Sequence, residues 1–150
     1  MKPWRLLLAL VWVAAAAGTC PAKQLAIVAD NANSTTNLTS VELVKIFKAH
    51  TRTWPDGEPI TIVLRDPSSA DMQLILRKVF NMTADEAHAF IHAHEGTIVI
   101  VDSDAAVQRS VANIRGAIGV IDLYSLTKYV RVLKIDGKLP VEQGYLLRRN

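Results

Sequence analysis

"ITIVLRDPSSADMQLILRKVF", residues 60–80, changes structural period within a few residues. Ile60, Ile62, Val63 and Leu64 form a β-branched apolar run of strand character. Met72, Ile75, Leu76, Val79 and Phe80 then recur at i, i+3, i+4, i+7 and i+8, which marks one apolar face of a helix. Between them "RDPSSAD" (65–71) is a short polar junction. A strand that feeds straight into a helix is the building unit of layered α/β domains.

The flanking sequence repeats the alternation. "LAIVA" (25–29) reads as a buried strand leading into the polar loop "DNANSTTN" (30–37). "TSVELVKIFKAH" (39–50) reads as a helix opened by a Thr39–Glu42 capping box, and Thr83 with Glu86 opens another that runs to about His92. "RTWPDGEP" (52–59) is a turn by its Pro and Gly content, and Trp54 within it is expected to cover an edge of the core. "TIVIV" (97–101) is a third strand, and Ser103 can cap a helix through about Asn113. "GAIGVI" (116–121) and "YVRVLKI" (129–135) complete the strands, closed by Asp136-Gly137. The expected fold class is α/β, a mostly parallel sheet of about five strands flanked by helices.

Residues 1–22 have a different composition. Lys2 and Arg5 precede the apolar run "LLLALVWVAAAA" and the small-residue stretch "GTCPA", the three-part layout of a secretory signal. The expected organisation is a signal peptide over 1–22 with cleavage after Ala22, one domain over 23–150, and a periplasmic or secreted location. Lipid attachment at Cys20 is the less favoured alternative, because Thr19 stands where that processing prefers Gly or Ala. Cys20 is the single cysteine, so the mature chain has no disulfide, thiolate metal site or cysteine nucleophile. Loss of Lys2 and Arg5 leaves 15 basic against 14 acidic residues. That near balance, with no Lys/Arg cluster interleaved with aromatics, argues against a nucleic-acid partner.

The ordered pieces resemble the phosphate-binding proteins of ABC importers, which have the type II periplasmic-binding-protein fold. The likeness runs through residues 38–80, "VQRSVANIRGAIGVIDL" (107–123) and "VRVLKIDGKLP" (130–140), and extends to the terminal "YLLRR". It implies a periplasmic-binding-protein-like single lobe that binds phosphate or a similar oxyanion non-covalently, without a cofactor. It also implies ABC importer membrane subunits as partners. In that family such a stretch is one of two lobes with the oxyanion held between them, so a homodimer could supply the missing wall. The family loop resembles Arg-x-Asp-Gly-Ser-Gly-Thr. Over "RDPSSAD" the Arg falls on Arg65 and the Ser on Ser69, while Pro67, Ser68, Ala70 and Asp71 replace the Asp, both glycines and the Thr.

The residues allow two readings of this junction. Backbone N–H groups at a helix start, two serine hydroxyls and the Arg65 fork could cradle an oxyanion. Alternatively, Ser68 caps the helix with Asp71 in its third position, as in the other two boxes. The ligand candidates are Arg65, Ser68 and Ser69, joined by Asn31 and Ser34 from the loop after the first strand, because ligands gather beyond the carboxyl ends of strands in open α/β sheets. If capture has been lost, the remaining role is an envelope interaction module. His88 and His92 share a helix face, but His94 falls off it and no further ligand is placed, so no metal site is expected. The sequons at Asn33, Asn37 and Asn81 would matter only in a eukaryotic secretory route. No Gly-x-Ser-x-Gly elbow, phosphate-loop lysine or catalytic His/Asp/Ser order occurs, so the chain is not expected to be an enzyme.

Overall fold

The computed structural model describes residues 24–148, so the leader over 1–22, Cys20 and Arg149 lie outside the described residues. A five-stranded sheet forms the centre. Its strands are β1 (Leu25–Asp30), β3 (Thr61–Arg65), β4 (Ile98–Val101), β5 (Ala117–Asp122) and β6 (Val130–Val132), in the order β4-β3-β5-β1-β6. β3 pairs in parallel with β4 and β5, while β1 pairs antiparallel with β5 and β6. Four strands therefore run one way and β1 runs against them. The stretch 129–135 divides at Leu133: β7 (Lys134–Ile135) leaves the main sheet and pairs in parallel with β2 (Asn37–Leu38).

Side-chain alternation along the strands creates two apolar faces. Leu25, Ile27, Ala29, Ile62, Leu64, Ile118 and Val120 face one cluster. This is covered by Leu43, Ile46 and Phe47 of α1 (Ser40–Phe47) and by the helical segment after β3. Ala87 of α3 (Ala84–Ala93) closes the same side. Ala26, Val28, Val63, Ala117 and Ile121 face the other cluster, which α4 (Asp104–Asn113) covers with Val107 and Val111. Gly119 permits this approach, because a Cβ there would lie 2.7 Å from Val107 Cγ1.

Both expected capping boxes form, at Thr39–Glu42 and Thr83–Glu86, and the Ser103 hydroxyl accepts from the Ala106 amide at 3.1 Å. Trp54 is buried, and its Nε1 donates to the Gly116 carbonyl at 2.9 Å. Gly116 itself has φ +78, and a Cβ there would meet the Pro59 carbonyl, so only glycine suits that crossing.

The helix after β3 departs from expectation. The apolar stripe is buried as read, from Met72 to Phe80. Its backbone is composite, however: a 3-10 turn over Ala70–Met72, one α turn, α2, over Gln73–Ile75, and a π turn over Leu76–Phe80 that ends at left-handed Asn81. Ser68 does not cap it. The Asp66 carboxylate draws both the Ser68 amide, at 2.8 Å, and the Ser68 hydroxyl, at 2.5 Å, into a turn ahead of the helix. Ser69 becomes the boundary residue, with no side-chain cap bond.

Candidate functional site

The carboxyl ends of β3, β4 and β5 define one rim of the sheet. Arg65 is the last residue of β3, Asp102 and Ser103 follow β4, and Asp122 ends β5. Arg65 Nη1 donates to Asp71 Oδ2 at 2.5 Å and lies 3.8 Å from Asp104 Oδ1. Asp104 is also committed elsewhere: its Oδ2 accepts from the Asp122 amide at 3.2 Å and from the Ser125 hydroxyl at 3.3 Å. It thereby ties the first turn of α4 to the end of β5.

Two donors at this rim are buried yet unmatched. Arg65 Nε and Ser69 Oγ have no hydrogen-bond partner among the described residues. A desolvated polar group left without a partner is unfavourable by roughly 1–3 kcal/mol. Both groups suit an incoming oxyanion, the guanidinium as half of a fork and the hydroxyl as a single donor. Ser68 is engaged differently. Its hydroxyl and amide hold the Asp66 carboxyl below its usual range, and His88 Nε2 stands 3.5 Å from the same carboxylate oxygen. Beside this network Asp66, Ile100, Val101, Asp102 and Ala106 line an open cavity of about 480 Å³.

Asn31 and Ser34 do not share this rim, which corrects the expectation placed on them. β1 runs against β5, so its carboxyl end emerges where β3 and β5 begin: Ala29 faces Ile118, and Thr61 faces Ala117. The Asp30 carboxylate accepts from the Gly116 amide at 2.9 Å, which anchors the loop to that far edge. Thr61 to Arg65 spans about 13 Å at strand rise, and that length separates the two groups. Asn31 instead donates to the Lys128 carbonyl at 3.2 Å, and Ser34 is exposed in the same loop.

The junction also holds residues that local reading passed over. Asp71 serves as ion-pair partner to Arg65 rather than as a capping-box member, and Asp104 joins it from another element. Only the Asp66 turn had a local signal, the sequence Asp-Pro-Ser. The histidines have separate partners: His88 faces Asp66, His92 Nδ1 lies 2.7 Å from Glu95, and His94 Nδ1 lies 2.8 Å from the Phe90 carbonyl. No group of three or more His, Cys, Asp or Glu among the described residues could hold a metal ion. Nor is any described helix long and apolar enough to cross a membrane.

Residues 22–144 match the family model of the PBP superfamily domain. The chain belongs to the PBP superfamily. A search of curated proteins finds no match. Among solved structures, the PBP-superfamily lobe is similar to an ABC-type phosphate transport receptor from Vibrio cholerae. That alignment has a TM-score of 0.65 at 23% identity over 79% of this chain and 48% of the other. It is also similar to PstS from Borrelia burgdorferi, with a TM-score of 0.68 at 21% identity over 85% of this chain and 55% of the other. A third similar structure is a phosphate ABC transporter substrate-binding protein with bound phosphate from Clostridium perfringens. There the TM-score is 0.67 at 21% identity over 79% of this chain and 47% of the other. The chain thus spans about half the length of these structures, and the likeness is one of fold: a periplasmic-binding-protein-like lobe with a five-stranded sheet flanked by helices.

Proposed function

We propose that this chain is an exported solute-binding lobe that takes phosphate or a similar oxyanion by non-covalent contact at the carboxyl rim. Arg65 and Ser69 are the principal donors. The observation that carries the reading is the pair of buried donors there, Arg65 Nε and Ser69 Oγ, that no described group satisfies. The shared fold with phosphate-transport receptors supports the same chemistry. Ser68 contributes less than Arg65 and Ser69, because both its amide and its hydroxyl are directed to Asp66. Asn31 and Ser34 fall outside the proposed site.

A rim open on one side contacts only part of an anion's surface. A second lobe therefore closes over the ligand in this proposal, and a second copy of the chain is the occupant proposed for that position.

Titration calorimetry with phosphate, sulfate and arsenate tests the reading. The expected outcome is phosphate binding tighter than ~1 mM, which is about −4 kcal/mol. Arg65→Gln should weaken it at least tenfold, Ser69→Ala should weaken it measurably, and the stoichiometry should be one phosphate per two chains. Affinity weaker than that threshold, or unchanged by Arg65→Gln, refutes the site. One phosphate per chain refutes the second-copy wall alone.

A further inference from the structure

We infer that Asp71 is an internal anion that competes with the bound oxyanion for Arg65, so that the ease of displacing this carboxylate sets the affinity of the lobe. The inference rests on the oxyanion reading above. Two carboxylates face one guanidinium, Asp71 Oδ2 at 2.5 Å and Asp104 Oδ1 at 3.8 Å. One positive charge against two negative ones leaves the local sum at −1, and an arriving anion meets net repulsion while both carboxylates stay in place. One of them has to yield for the anion to reach Nη1.

The two are not equally free to move. Asp104 bonds through its other oxygen to the Asp122 amide and the Ser125 hydroxyl, so its withdrawal would loosen α4 from the end of β5. Asp71 stands on the 3-10 turn Ala70–Met72, whose boundary residue Ser69 makes no side-chain cap bond. A turn of three residues closed by i→i+3 bonds has poorer hydrogen-bond geometry than an α-helix and resists rearrangement less. Its side chain also lies at the protein surface, with 13% exposure, so the displaced carboxylate can be taken up by water. The same swing would leave the Arg65 fork and the Ser69 hydroxyl facing the anion together. Asp71 is therefore the residue that decides affinity, and it does so by occupying the cation rather than by touching the ligand.

Calorimetry with inorganic phosphate on the full chain, its Asp71→Asn and Asp71→Thr variants, and the Asp71→Asn/Arg65→Gln double variant tests this. Removal of the carboxylate should tighten phosphate at least tenfold, and the double variant should lose that gain. Affinity unchanged by either Asp71 substitution, with the Arg65→Gln loss intact, overturns the competition and leaves the oxyanion site standing. Phosphate binding that ignores Arg65→Gln overturns both. A measurement on the unmodified chain guards against variants that fold poorly. The Asp71 carboxyl carbon and Arg65 Nε–H signals, followed by NMR during a phosphate titration, should shift together. An Arg65 response with a stationary Asp71 signal overturns the inference.

Discussion

Tyr145 lies 118 residues along the chain from Ile27, yet its hydroxyl accepts the Ile27 amide at 3.4 Å beside the first strand. The ring is buried, and burial pushes its hydroxyl up to about 12, with the Ile27 amide opposing the shift. Tyrosine in an unfolded chain ionises near 10. The folded state therefore favours the protonated form, and its contribution is complete below about pH 10 and lost as pH rises from about 10 to 12. A two-unit separation corresponds to roughly 2–3 kcal/mol. Urea unfolding as a function of pH should show a steep loss of stability across that window. Tyr145→Phe should flatten it while leaving stability near neutral pH lower by about 1 kcal/mol or less, the net worth of one long hydrogen bond. An equally steep alkaline loss in the Phe variant would place the titrating group elsewhere.

At the scale of elements, three short stretches share one local pattern and reach two outcomes. Thr39-x-x-Glu42 and Thr83-x-x-Glu86 form reciprocal boxes, in which the threonine hydroxyl accepts from the glutamate amide at 3.1 and 3.2 Å respectively. Ser68-x-x-Asp71 has the same spacing and forms none, since Asp66 takes Ser68 and Arg65 takes Asp71. Thr39→Ala and Thr83→Ala should each destabilise the protein by about 1 kcal/mol, the usual value of an N-cap. Ser68→Ala should stay within about 0.5 kcal/mol, because its hydroxyl bonds an exposed carboxylate that water can satisfy. Chemical denaturation of the three variants separates the cases, and an equal loss at Ser68 would mean that it caps the helix after all. The two true boxes were legible because all their partners lie within four residues. The third was not, because Arg65 outcompeted the local arrangement and reached Asp71 from the end of β3.

The same division between local and distant causes holds for the molecule as a whole. Every strand of the main sheet could be read from its apolar run, and the burial of the 72–80 stripe followed from its spacing. Strand direction could not be read, since an apolar run looks alike in either sense. Reversal of β1 is what separates Asn31 and Ser34 from Arg65. Packing across the sheet does leave one trace in the sequence, the glycine in "GAIGVI". At Gly119 a Cβ would lie 2.7 Å from Val107 Cγ1, 3.0 Å from Val111 Cγ2 and 3.2 Å from the Val63 carbonyl. α4 alone covers this face, so it has no neighbouring helix to absorb a shift, and the added methyl group must push it outward or force its valines off their rotamers. Gly119→Ala should therefore destabilise the fold by about 1–3 kcal/mol despite alanine's lower unfolded-state entropy. Val107→Ala alone should also be destabilising, because it opens a cavity. Together the two changes exchange one methyl group for space at the same contact, so the double variant should be more stable than the sum of the single losses predicts, by at least 0.5 kcal/mol. Strict additivity in a double-mutant cycle would show that α4 moves freely over the sheet, and that the glycine does not set its distance.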